Sequence, residues 1–264
     1  MSSVIYTFDR TLDGLLSAVF DAYFRRQQPE MLVGEGDQLP LFCEEVYQVT
    51  TTDEKARRVW AGLEKRLKSE ALKLIAVSWM SEEKDLPTPL FRYIYKVFQS
   101  KGGGGYDFTD ADVLHVTNTA RRVMHEQLRM KQFVRFQKAV DGTYLAVVSP
   151  DHDVLPLVTS HFADRFGDQQ WLIYDARRHY GFFFDCHMVT RVTFEDTRTL
   201  PFDVGSGKLN DDLLSADDQL FQQLWRTYFK AICIRERMNP RKQLNDMPRR
   251  YWKYLTEKQE SAGS

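Results

Sequence analysis

FVRFQKAVDGTYLAVVSPDHDVLPLVTSHFADRFGDQQWLIYDARRHYGFFFDCHMVTRVTFE, residues 133–195, decides the fold class. Asp141-Gly142 separates two β-rich runs, FVRFQKAV and TYLAVVS, and a two-residue DG loop between such runs is the strongest short-range hairpin signal. A helix is expected over 154–166, beginning near Pro156. After Gly167 come WLIYDARR, YGFFFDCH and MVTRVTFE, three strand-like runs with short breaks, which read as a meander.

Upstream, the pattern turns helical. Val4–Phe8 reads as a short strand, and Thr11 and Asp13 open an amphipathic helix carrying Leu12, Leu15, Leu16, Val19, Phe20, Tyr23 and Phe24. A loop with Pro29, Gly34, Gly36 and Pro40 precedes an extended piece over 41–49. Further helices are expected over 53–67, from Ser69 to about Ser81, from Pro87 or Pro89 to Phe98, and from Ala111 to about Met130. KGGGG at 101–105 lacks the spacing and the Lys-Ser/Thr of a phosphate-binding loop and reads as a plain connection. Downstream, an aspartate-rich loop leads to a long amphipathic helix ended by Asn239-Pro240. The expectation is a single α+β domain over 1–264: a helical first half (1–130), a strand-rich middle (131–200) and C-terminal helices (215–257). Its sheet is expected to be mainly antiparallel, a hairpin plus a meander, packed with helices from both ends of the chain.

Composition narrows the class. With 43% hydrophobic and 28% charged residues the 264-residue chain is ordinary for a globular protein able to bury a core. Its longest apolar stretches, such as LIAVSWM, are too short to cross a bilayer, and its first residues lack a secretory pattern, so a cytoplasmic protein is expected. Cys43, Cys186 and Cys233 are scattered, which argues against disulfides and against a cysteine-held zinc or iron–sulfur centre. Each reads as a small buried side chain, and no metal or other cofactor is expected.

Charge is segregated. The formal net charge is -1, yet residues 230–257 hold eight basic side chains against three acidic ones. Within NPRKQLNDMPRRYWKYLTE, Asn245 or Asp246 can cap a last helix with Pro248 in its first turn. Met247, Tyr251, Tyr254 and Leu255 then share one face, a docking stripe. Arg249, Trp252 and Lys253 share an adjacent face flanked by Arg250. Together with Arg241 and Lys242, these side chains suit phosphate neutralisation and base stacking. A solvated basic helix with Trp252 packed on a neighbour fits the same spacing.

A second constellation joins SPDHD to YDARR. His152 beside Asp151 and Asp153 can act as a general base, or the three can form a turn and a helix cap. His161, nine residues on, is too far along one helix to share a metal with His152 by simple i, i+4 spacing. Asp175 and Arg177 would share one face of a strand and Arg178 the other. They can make a cross-strand ion pair, or the arginines can clamp an anion. His115 and His125 read as polar-face or satisfied residues.

Several segments also carry a resemblance. YTFDRTLDGLLSAVFDAYFRR, DEKARRVWAGLEKRL, PLFRYIYKVF, the run from LRMKQFVRF to YGFFFD, and RERMNPRKQLNDMPRRYWKYLTE are similar to a bacterial family. That family is described as "probable DNA metabolism" proteins and otherwise as a domain of unknown function. Similar domains are fused to uracil-DNA glycosylases of the iron–sulfur type or encoded beside a radical-SAM protein of DNA modification or repair. The resemblance implies DNA and a radical-SAM enzyme as partners and carries no established reaction. The sequence thus leads to an accessory nucleic-acid-binding protein of DNA metabolism or repair. A processing enzyme using the His152 region and a protein-interaction module are the rivals.

Overall fold

VIYTF at Val4–Phe8 is apolar at four of five positions, as expected of a strand covered on both faces. In the computed structural model it forms β1, the centre of an all-parallel sheet in the order β2-β1-β3, with β2 at Met31–Gly34 and β3 at Glu45–Gln48. The structure describes residues 4–41, 43–100, 109–194, 202, 203, 205–210, 212–215, 217, 218 and 247–255. The chain divides into two compact units, Met1–Met124 and His125–Ser264.

In the first unit, α1 (Leu12–Arg25) starts where the Thr11 side chain accepts the Gly14 amide at 2.8 Å. A Thr in this role satisfies a donor that no helical carbonyl can reach. α2 (Asp53–Glu64), α3 (Ser69–Trp79) and α4 (Pro87–Gln99) follow close to their expected limits, α2 capped by Thr52 and α4 carrying Pro in its first turn. Phe8, Leu15, Val19, Leu63, Ile75, Leu90 and Ile94 form the core. β2 departs from the loop expected there. Its four residues lie between Pro29 and Gly36, and β1 supplies the ladder that holds them extended. The parallel pairing also corrects the mainly antiparallel expectation for this part of the chain.

α5 (Ala111–Phe133) runs across the boundary between the units, its first turn held by Asp110, whose Oδ1 accepts the Asp112 amide. The second unit is built on a five-stranded sheet, order β4-β5-β6-β7-β8. β4 (Gln137–Lys138) and β5 (Tyr144–Val148) form the expected hairpin, and β6 (Trp171–Asp175), β7 (Tyr180–Phe184) and β8 (Val189–Thr193) form the expected meander. β5 and β6 are parallel. The chain between them passes through a 3₁₀ turn, Leu155–Leu157, and α6, Thr159–Arg165. A helical crossover returns the next strand in the same direction. The five-stranded sheet is therefore mixed.

Alternation sorts β6. Leu172 and Tyr174 join Leu145, Val147, Phe202, Leu209 and Tyr254 in one cluster. Trp171 packs with Phe136 and Phe162. Cys43 and Cys186 are half-buried, not enclosed, and Cys186 has a positive φ of 75°. Cys233, the glycine run and the long helix expected after the acidic loop lie outside the described residues. Among the described residues no helix is long and apolar enough to cross a membrane.

Candidate nucleic-acid interface

Glu126 organises the site, and it was not singled out from the sequence. It lies three residues after Val123 and four before Met130 on α5, so helical spacing places a carboxylate on an apolar stripe. It is 1% exposed. Its two oxygens accept the amides of Asp151 at 3.0 Å and His152 at 2.8 Å. Oε1 also accepts the Tyr251 hydroxyl at 2.7 Å and Nη2 of Arg250 at 2.9 Å. Burial disfavours its charged form. The hydrogen bonds from Tyr251 and the two amides, with the Arg250 charge, outweigh that and hold the carboxyl below its ordinary value.

Arg250 bridges two acids, because its Nη1 lies 2.7 Å from Asp151 Oδ2. The same residue 151 is gripped from its carbonyl side. Arg177 Nη1 donates to Asp151 O at 3.0 Å. Arg178 donates to Pro150 O at 3.1 Å and to Asp151 O at 3.0 Å. Asp175, wholly buried at the end of β6, accepts the amides of Arg177 and Arg178 and pairs with the Arg178 guanidinium at 2.9 Å. Asp153 accepts the hydroxyl of Tyr180, whose pKa burial and then this bond push up.

These contacts give most of the second constellation structural duties. β6 ends at Asp175, so Arg177 and Arg178 lie in the turn after it. The ion pair runs from Asp175 to Arg178 within that turn, not across strands as one of the two readings left open by the sequence had it. Backbone carbonyls take Arg177 Nη1 and, together with Asp175, engage the Arg178 guanidinium, while the Arg177 side chain stays largely exposed. Asp151 and Asp153 shape the turn around His152, which is half-buried and held by its amide. His161 lies on α6 with its ring edge-on to Phe162, centroids 5.2 Å apart.

The C-terminal segment forms one helical turn, α7 (Arg249–Trp252), with Pro248 at its N-cap. The helix expected to start from Asn245 or Asp246 is thus described only from Arg249. Of the expected docking stripe, Tyr251, Tyr254 and Leu255 are buried and Met247 is half-buried. Arg249 and Lys253 are exposed and Trp252 is half-buried. Arg249 Cζ lies 5.9 Å from the Trp252 ring centroid, and the indole Nε1 donates to Met247 O at 3.0 Å. Arg241 and Lys242 lie outside the described residues.

In the first unit, Glu83, Asp85 and His115 bring ligand-type atoms within 4.8 Å of one another, a grouping that spacing had not suggested. Arg122 already holds Glu83 in a fork, with contacts of 2.6 and 2.8 Å, and Thr119 donates to it as well. A guanidinium on that carboxylate competes with a cation for it.

The second unit is therefore a mixed-sheet α+β body on which a buried carboxylate seats a short basic-aromatic turn. The chain belongs to the DUF4130 family, a domain of unknown function, whose model matches residues 84–257. That match spans Glu126, the 150–153 turn, β4 to β8 and α7. No curated protein and no solved structure matches the chain.

Proposed function

We propose that the chain is an accessory nucleic-acid-binding protein of DNA metabolism or repair, and that the outer side of α7 contacts the nucleic acid. One observation carries this reading. The inner side of α7 is fixed through Tyr251 and Arg250, while Arg249 and Lys253 are exposed, Arg249 over the ring of the half-buried Trp252 and the Lys253 ammonium over that of Tyr254. Two exposed cations, one of them over an indole, suit a phosphate backbone and a stacked base. Arg250 differs from the other three residues. Its guanidinium is engaged by Glu126, Tyr251 and Asp151, so its part is to position the face. A radical-SAM enzyme as working partner rests on the family resemblance.

Fluorescence anisotropy with labelled single- and double-stranded DNA tests the proposal. Arg249→Ala/Lys253→Ala should bind several-fold more weakly while melting at the wild-type temperature. Equal affinity in a folded double variant would remove α7 from the interface. Co-purification with the radical-SAM protein, with and without DNA, tests the partner.

A further inference from the structure

Phe136, Tyr144, Phe166 and Trp171 wall a cavity of about 220 Å³ in the second unit, with Arg135 and Gln169 as its polar members. Trp171 is fully buried, whereas the other five are half-buried, so the cavity has a closed apolar floor and a rim that meets solvent. The rings are not parallel: Phe136 meets Phe166 edge-on at 5.4 Å and lies tilted to Trp171 at 6.4 Å. Cations border the walls. Lys138 Nζ lies 5.9 Å from the Tyr144 centroid and Arg165 Cζ lies 5.6 Å from that of Phe166.

We infer that this cavity takes a nucleobase, with the sugar-phosphate left at the rim near Lys138 and Arg165. Size comes first: pockets for drug-sized ligands run to roughly 300–1,000 Å³, so this one fits a single flat ring system. Chemistry comes second. A cavity walled by four aromatic rings favours a planar π-faced guest over an aliphatic or strongly hydrated one. Cations at the edge then select a guest that carries an anion outside the ring.

The inference deepens the nucleic-acid reading, but it uses different residues from α7. The base can arrive as a free nucleotide or as one residue of a strand, and the test separates the two. The full chain is titrated by calorimetry with thymidine monophosphate, with an oligothymidylate, and with an abasic strand of equal length. Tyr144→Leu, which keeps an apolar side chain but removes the ring, should weaken base-bearing ligands by about 5- to 150-fold, the range for one lost stacking partner. It should leave the abasic strand unchanged. Melting curves report whether the variant is folded. A mononucleotide that binds and responds to Tyr144→Leu identifies a nucleotide site. A response confined to the oligothymidylate identifies a strand-base site.

The inference is overturned if folded Tyr144→Leu binds every ligand as the wild type does, or if thymidine monophosphate does not bind and the oligothymidylate and the abasic strand bind alike. These outcomes are distinguishable from failure at α7. In that case the Arg249→Ala/Lys253→Ala chain would bind strands normally, while Tyr144→Leu would still weaken the base-bearing ligands and not the abasic strand.

Discussion

Arg250 Nη2 lies 2.9 Å from Glu126 Oε1, across 124 residues of sequence. The contact joins to α5 the last described segment, in which Arg249 and Lys253 are exposed and Trp252 is half-buried. Glu126 is almost wholly enclosed and Arg250 is 35% exposed, so the pair is asymmetric. Loss of the arginine leaves a buried charge behind, and loss of the carboxylate leaves a guanidinium with Asp151 and water.

Arg250→Met should therefore destabilise the second unit by roughly 3 kcal/mol, the low end for breaking a buried pair because one partner reaches solvent. Combined with Glu126→Gln in a double-mutant cycle, the two changes should couple by about 1–3 kcal/mol. Urea unfolding of the four proteins measures this, and additive effects would mean that the contact contributes nothing.

The depressed Glu126 pKa sets a direction for acid. Its folded value lies below its unfolded value, near 4.3, so its stabilisation is complete above that pH and is lost as pH falls through the folded value. Urea midpoints between pH 6 and 3 should fall more steeply for the wild type than for Glu126→Gln. Parallel curves would remove Glu126 from the acid response.

Gly181 tests the register of the five-stranded sheet. A Cβ there would meet the Ile173 carbonyl oxygen at 2.6 Å, and backbone cannot rotate away as a side chain can. Gly181→Ala should cost about 1–3 kcal/mol by overpacking. A neutral substitution would contradict the β6–β7 pairing.

Trp252→Ala combines two effects. The ring is half-buried and its N–H is bound to Met247 O, so removal should cost about 1 kcal/mol of stability. It should also weaken single-strand binding by about 5- to 150-fold if the ring stacks on a base. Anisotropy on the folded fraction separates the two, and normal binding by that fraction would leave Trp252 as an anchor only.

Local chemistry explains what the sequence made legible. Thr11, Thr52 and the first-turn Pro of α4 state helix starts in the residues themselves. Asp141-Gly142 likewise states its hairpin, and Tyr251, Tyr254 and Leu255 state their buried face. What depends on distant partners was not legible. β2 is a strand only because β1 lies beside it, and β5 pairs with β6 in parallel only after the crossover brings them together. Arg177, Arg178 and Arg250 look alike in a sequence as basic side chains, yet their partners are carbonyls and carboxylates up to 124 residues away. Glu126 did leave a signal, a charge on the apolar stripe of α5 between Val123 and Met130.

The salt dependence of DNA binding tests the central claim most directly. Each phosphate contact contributes about 0.7 to the slope of log K against log salt for single strands and about 0.9 for duplex. If Arg249 and Lys253 each meet a phosphate, the Arg249→Ala/Lys253→Ala protein should show a slope shallower by about 1.4 on single strands or about 1.8 on duplex. An unchanged slope in that folded protein would contradict a nucleic-acid interface at α7.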